Sequence, residues 1–396
     1  MKKLITLLSL LFLAFTSFSQ VTTVFVKPVM TDGGYAAVQD SHVVSLNKNV
    51  ASLSRLLVFL PGTGAQARHY LLFPRLAANL GYHCINLAYP NAEAAASCAS
   101  VADQNCYTLF RREVCYGTPG SDQVNVDSLN SIYTRLLKTL IYLNATYPND
   151  GWGQFLSVSG DPIAWNKVVT AGHSQGSGHA LMLGKDRVVN RVIMFAGPQD
   201  YNYVNGNTAN WISATGKTPV NGLYSFLHLR DEVSLYSVQY KALDAMGLLG
   251  ISDSLRVDFT TAPYQQSHTL YTDATPKNSG MTGAYHNAPV VDFYTPGTLT
   301  NPDFTAVWTY LLTAANSTGI QENQQAGFRL YPNPASGEIR IQTTEGDHQI
   351  QLIDITGKTI KNYRETGSLI TIDVSKMAAG MYSVVVDGVG SKMMVE

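Results

Sequence analysis

The sequence predicts an α/β chain, a mostly parallel sheet with helices on both faces, followed by a small all-β sandwich. Three observations carry that expectation. Between residues 56 and 315, short apolar runs of strand length alternate with stretches of helical length. The run Val168-Val169-Thr170-Ala171 leads straight into Gly172-His173-Ser174-Gln175-Gly176, with a helix-compatible stretch over 177–184. Beyond residue 330 the pattern changes to short alternating runs broken by turn residues.

The elements follow in order. Residues 1–19 read as a secretory leader: Met1-Lys2-Lys3 is a charged start, residues 4–15 are apolar, and Ser17-Phe18-Ser19 supplies small residues for cleavage before Gln20. No later segment reaches the ~20 apolar residues a membrane span needs. One large α/β body is expected over 20–316. Opening strands are expected at 22–26 and 42–46, a buried strand at 56–60, a helix over 68–80 and a strand at 83–88. A long helix is expected over 128–145 with Asp127 as its N-cap. After the 168 strand and the pentad come strands at 191–196 and 223–229, a helix over 234–246, a closing strand at 267–271 and a last helix over 304–315. Residues 317–327, polar and rich in Gln and Asn, read as a linker.

The pentad points to chemistry. A strand that turns sharply into a helix holds its serine on a strained apex with the hydroxyl exposed, and the two glycines remove side chains that would clash there. Ser174 is therefore the expected nucleophile. Serine hydrolysis also needs a base to take the proton and an acid to orient the base. Asp231 stands just past the strand at 223–229, and His286 stands between the closing strand and the last helix. The order Ser174, Asp231, His286 suits a parallel sheet whose active residues leave the C-terminal ends of the strands.

These residues, with the turn Leu60-Pro61-Gly62-Thr63-Gly64, resemble the α/β-hydrolase superfamily over roughly residues 56–315. The resemblance implies an α/β-hydrolase fold and an oxyanion hole built from two backbone N–H groups, which map onto Thr63 and Gln175, with Gly64 as the alternative to Thr63. Pro61 stands where the family usually has histidine. Rivals exist for two roles. Asp200 follows the 191–196 strand and Glu232 neighbours Asp231; Asp231 is preferred over both. Among the histidines, His268 opens a strand at the far end of the sheet, His173 is expected to pack beside the serine, His179 is read as structural, and His69 and His228 have no positional support. Ser177 falls inside the helix.

Residues 92–126 form a long excursion, expected to be a lid or specificity wall. It holds Cys98, Cys106 and Cys115. In an exported chain a bridge between two of these is expected, Cys98–Cys106 first among the pairings, although sequence does not specify connectivity. Cys84, near the far end of its strand and about 15 Å away, is expected to be a buried free thiol. Arg111 and Arg112 read as a solvated pair or an internal ion pair with Glu113, before an anchor for an acidic substrate. A second excursion over 202–211, with Tyr201, Tyr203 and Trp211, offers aromatics that either stack on a sugar or aryl group or pack the loop.

The tail, 328–396, carries strand-like runs at 339–341, 350–353, 370–373 and 381–386. Tyr331-Pro332-Asn333-Pro334, Asp354-Ile355-Thr356-Gly357-Lys358, Ala379-Gly380-Met381-Tyr382 and the terminal Lys392-Met393-Met394-Val395 resemble the C-terminal sorting domains of the type IX secretion system. Met393-Met394 departs from the basic–apolar alternation more usual there. The resemblance implies a partner in the outer-membrane type IX machinery, passage through the periplasm and outer membrane, removal of the tail, and release or surface anchoring.

A net charge of −1 with 14% charged residues leaves no basic field for nucleic acid. No His/Cys/Asp spacing suggests a metal site, and the glycines at 172–178 lack the Lys-Ser/Thr ending of a phosphate loop, so no cofactor is expected. The functional expectation is a secreted serine hydrolase acting on a small-molecule or polymer-borne carboxylic ester through an acyl-enzyme. A serine peptidase or amidase on the same fold, and a non-catalytic surface binding protein, are the alternatives.

Overall fold

The computed structural model describes residues 21–35, 40–314, 328–332, 335–354 and 358–395. The expected leader, the expected linker and the motif residues 333–334 and 355–357 lie outside the described residues. By contacts the chain divides into two compact units, Met1–Ser317 and Thr318–Glu396.

The first unit is built on a nine-stranded sheet. Its strands are β1 (Thr22–Val26), β2 (His42–Leu46), β3 (Leu56–Leu60), β4 (His83–Asn86), β5 (Val168–His173), β6 (Arg191–Phe195), β7 (Leu223–His228), β8 (Leu255–Arg256) and β9 (Thr269–Thr272). They lie in the order β1-β2-β4-β3-β5-β6-β7-β9-β8. β2 pairs antiparallel with β1 and β4, and every other pairing is parallel.

Both faces of the central strands are covered, so their side chains divide between two cores. Leu56, Val58 and Leu60 of β3 join one core with Phe110, Leu136 and Leu181. Leu57 and Phe59 join the other with Phe73 and Trp308. Burying each such side chain contributes roughly 1.5–3 kcal/mol relative to leaving it in water. The first core is capped by α2 (Cys106–Tyr116), α3 (Ile132–Thr146), α4 (Gln175–Asp186) and α5 (Tyr236–Ala245). The second is capped by α1 (Leu72–Asn79) and α6 (Thr305–Thr313).

Several boundaries differ from the sequence expectation for tertiary reasons. The helix expected over 68–80 is split into a 3-10 turn, Ala67–His69, and α1, because the distant carboxylate of Asp292 accepts from Leu71 N–H at 2.8 Å and Leu72 N–H at 3.1 Å. α3 is capped by Ser131, whose side chain accepts from Thr134 N–H at 3.2 Å, and not by Asp127. Asp127 instead accepts from Asn130 N–H at 2.8 Å in the turn before. The sheet does not close at 267–271: the two-residue β8 pairs beyond β9. Residues 92–126 hold a 3-10 turn, Ala95–Ser100, and α2, whose buried Tyr107, Phe110 and Val114 carry a helical spacing that sequence reading missed.

The second unit has two antiparallel sheets. β10 (Phe328–Tyr331), β11 (Glu338–Thr343) and β14 (Leu369–Asp373) form one. β12 (Asp347–Asp354), β13 (Thr359–Thr366), β15 (Gly380–Val386) and β16 (Val389–Val395) form the other. Ile339, Ile341, Ile350, Leu352, Ile370, Ile372, Val384 and Val386 meet in one core. β13 escaped the sequence reading because none of its side chains is fully buried, leaving no apolar alternation.

Candidate active site

The register aligns the strand ends. Leu60 lies opposite Gly172, His173 opposite Phe195, and Phe195 opposite Phe226. The loops leaving β3, β5, β6 and β7 therefore emerge side by side. Between β5 and α4, Ser174 takes φ 54° and ψ −120°, a conformation that side-chain-bearing residues rarely adopt. The turn is possible because a Cβ on Gly172 would strike the carbonyl of Gly176, and one on Gly176 would strike that of Leu60. Ser174 N–H donates to Phe195 O at 2.9 Å, and Gln199 Nε2 donates to Ser174 Oγ at 3.4 Å. Ser177, inside α4, spends its hydroxyl on Ser174 O.

Asp231 and His286 meet. Nδ1 of His286 lies 2.7 Å from Asp231 Oδ2, and both side chains are buried. The carboxylate also accepts from Val233 N–H at 2.9 Å, Ser234 N–H at 2.7 Å and Gln239 Nε2 at 2.9 Å. Burial pushes the Asp231 carboxyl up, but His286 and the backbone donors outweigh it and hold it below its ordinary value. Glu232 accepts the backbone N–H of Tyr285 at 3.3 Å and of His286 at 3.1 Å, so it holds the histidine loop and makes no contact with the ring of His286 among those described. The rings of His286 and His173 are 4.9 Å apart, which sets His286 beside the residue that precedes Ser174.

The 62–65 turn lies against the serine: a Cβ on Gly62 would be 3.3 Å from Ser174 Cβ. Asn91 clamps this turn. Its Nδ2 donates to Gly62 O at 2.7 Å and Ala65 O at 2.9 Å, and its carbonyl accepts Gly64 N–H at 2.8 Å. The N–H of Gly64 is thereby occupied, and Ala65 N–H donates to Gly62 O at 3.1 Å. Among the described residues, the N–H groups of Thr63 and Gln175 have no protein acceptor. The Gln175 side chain joins the turn to the 92–126 excursion, accepting from Thr63 Oγ1 at 3.0 Å and Ala95 N–H at 2.7 Å and donating to Glu93 O at 3.0 Å.

Asp200 is elsewhere engaged. It forms a fully buried pair with Arg111, and Trp211 Nε1 donates to it at 3.0 Å. This corrects the expectation for the arginines: Arg111 pairs with Asp200, Arg112 meets Asp186 at 3.3 Å, and Glu113 accepts backbone N–H groups of Gly120, Ser121 and Val126. Trp211 packs inside, while Tyr203 stands exposed against Tyr201 with ring centroids 5.1 Å apart.

The other histidines have backbone or packing partners. His268 Nδ1 lies 2.9 Å from Leu223 O with its ring stacked on Tyr224, and His228 Nε2 lies 2.9 Å from Ala274 O. His69 Nδ1 accepts Gln66 N–H at 3.3 Å, and His179 is buried beside Cys115. A disulfide joins Cys98 and Cys106, and Cys84 and Cys115 are buried free thiols.

Residues 329–395 match the family of secretion system C-terminal sorting domains. This domain marks proteins that the type IX system exports to the cell surface or secretes, and it implies contact with that machinery. No curated protein matches the chain.

Proposed function

We propose that the first unit is an exported serine hydrolase of the α/β-hydrolase fold, cleaving carboxylic esters through an acyl-enzyme. The observation that carries this reading is the Asp231–His286 hydrogen bond at the strand ends, beside a serine held at φ 54°. The strand order, with β2 running against the others, and the chain order Ser-Asp-His support it.

In this reading Asp231 holds Nδ1–H of His286 and leaves Nε2 to take the Ser174 proton as Oγ attacks the ester carbonyl. The developing oxyanion is received by the N–H groups of Thr63 and Gln175. As the tetrahedral adduct collapses, His286 returns the proton to the leaving alkoxide. Water then attacks the acyl-serine, giving a proton to His286, and as the acid leaves His286 passes that proton to Ser174 Oγ, restoring both groups. Asp231 stays ionised throughout.

A fluorophosphonate probe should label Ser174. Ser174→Ala should abolish labelling and lower kcat on p-nitrophenyl esters by about 10⁴- to 10⁶-fold, and Asp231→Asn by about 10⁴-fold. Labelling of a different serine, or none, refutes the reading. Faster turnover of an anilide than of its matching ester would move the assignment to an amidase.

A further inference from the structure

His173 sits next to the nucleophile and has both ring nitrogens engaged. Its Nδ1 is 3.0 Å from the hydroxyl of Tyr70, and its Nε2 is 3.2 Å from the backbone carbonyl of His286. The same Tyr70 hydroxyl lies 3.2 Å from Gly62 N–H. Both side chains are buried. One proton arrangement satisfies all three contacts. A carbonyl only accepts, so His173 Nε2 carries hydrogen. Burial first, and then the neighbouring His286, push the His173 pKa down to about 3, so the ring is neutral and Nδ1 accepts. Tyr70 must then give its proton to Nδ1 and accept from Gly62 N–H.

The result is a directed chain: Gly62 N–H to Tyr70 Oη–H to His173 Nδ1, then His173 Nε2–H to His286 O. It spans three separate loops, those carrying the oxyanion turn, the nucleophile and the base. Tyr70 is itself fixed, with its ring 4.9 Å from Phe59 and its carbonyl accepting Asn86 Nδ2 at 2.6 Å.

We propose that Tyr70 and His173 are positioning residues that index the oxyanion turn and the backbone of His286 to the nucleophile. This rests on the hydrolase reading above. The turn that presents Thr63 N–H begins at Gly62, where a Cβ would stand 3.1 Å from His173 Nδ1, so the network and the turn are in direct contact. Catalytic groups displaced by about 1 Å lose on the order of 10²-fold in rate. The network also explains why His173, adjacent to Ser174, is not the base: Nε2 already holds a proton and Nδ1 is occupied by Tyr70.

The test combines one direct measurement with paired variants. Nitrogen-15 NMR of the wild-type protein should find His173 neutral with its proton on Nε2; a proton on Nδ1, or a charged ring, overturns the network. Tyr70→Phe should lower kcat by about 10- to 100-fold with KM nearly unchanged, and weaken an aryl boronic acid, a mimic of the tetrahedral adduct, by a similar factor. His173→Gln keeps an N–H donor for His286 O and should retain several-fold more activity than His173→Leu at matched thermal stability. Wild-type kcat and boronate affinity in a folded Tyr70→Phe protein, or equal activity of the two His173 variants, refutes the positioning role. If Tyr70→Phe does not fold, the His173 pair decides. Failure of the wild-type Ser174 to react with a fluorophosphonate would sink the hydrolase reading instead, and the NMR result would still judge the network.

Discussion

The guanidinium of Arg111 grips the carboxylate of Asp200 through two hydrogen bonds, Nε to Oδ2 at 3.0 Å and Nη2 to Oδ1 at 2.5 Å, and neither side chain reaches water. Charges taken out of water are tolerated when fully paired, and removing one partner strands the other. Asp200→Asn should therefore cost about 3–5 kcal/mol in urea unfolding. Replacing both by apolar residues, Arg111→Met with Asp200→Leu, should cost less than the two charge deletions summed, the remainder coming from Trp211 Nε1 and Gln175 O, which lose their partners. A single-variant loss below about 1 kcal/mol would place the pair with exposed ion pairs and contradict this account.

Asp292 sets a pH dependence. Burial raises its pKa from 3.8 to about 6, against the opposing pull of the Leu72 and Leu71 N–H groups. Between those values the native state binds the proton that the unfolded chain has released, so stability falls as pH rises through the window and levels off above about 6. Asp292→Asn removes this slope. Its Tm relative to wild type should rise between about pH 4 and pH 6 and then stay constant. A difference that does not vary with pH rejects the assignment.

The Cys98–Cys106 bridge closes a short loop, eight residues in sequence separation. Replacing both with serine should cost about 2–3 kcal/mol by chain entropy. Tyr203 N–H and Asn202 Nδ2 donate to the Ala99 and Val101 carbonyls in this loop, contacts that the bridge helps to hold, so in the double-serine variant proteolytic nicking should appear first within 92–126. Burial raises both the Cys84 and the Cys115 thiols, and iodoacetamide should modify them only after unfolding. Rapid alkylation of either in the native protein would be inconsistent with these positions.

Each unit buries its own core, so deleting 328–396 should leave the first unit folded with little change in Tm. In a host with type IX secretion, the shortened protein should stay in the periplasm. Its appearance at the cell surface, or its failure to fold, would overturn the view of the tail as an address.

What the sequence determined by itself was largely local. The strand at 56–60 has the same bounds in sequence and structure, because a run of five apolar residues buried on both faces leaves no alternative period. The Gly172–Ser174–Gly176 turn was equally legible: its geometry depends on which residues lack a Cβ. The order Ser174, Asp231, His286 could be read, as could the type IX motifs, which lie within one short segment. Tertiary structure decided the rest. Asp200 and Asp231 look alike in sequence, each a carboxylate past a strand; Arg111, 89 residues before Asp200, occupies the first and leaves the second to His286. The start of α1 was set by Asp292, 220 residues beyond Leu72, and the two ring nitrogens of His173 were engaged by the Tyr70 hydroxyl and the His286 carbonyl. Such choices depend on which distant donor or charge arrives at a buried polar group. The energy of leaving that group unpaired makes the choice firm, and no local pattern records it.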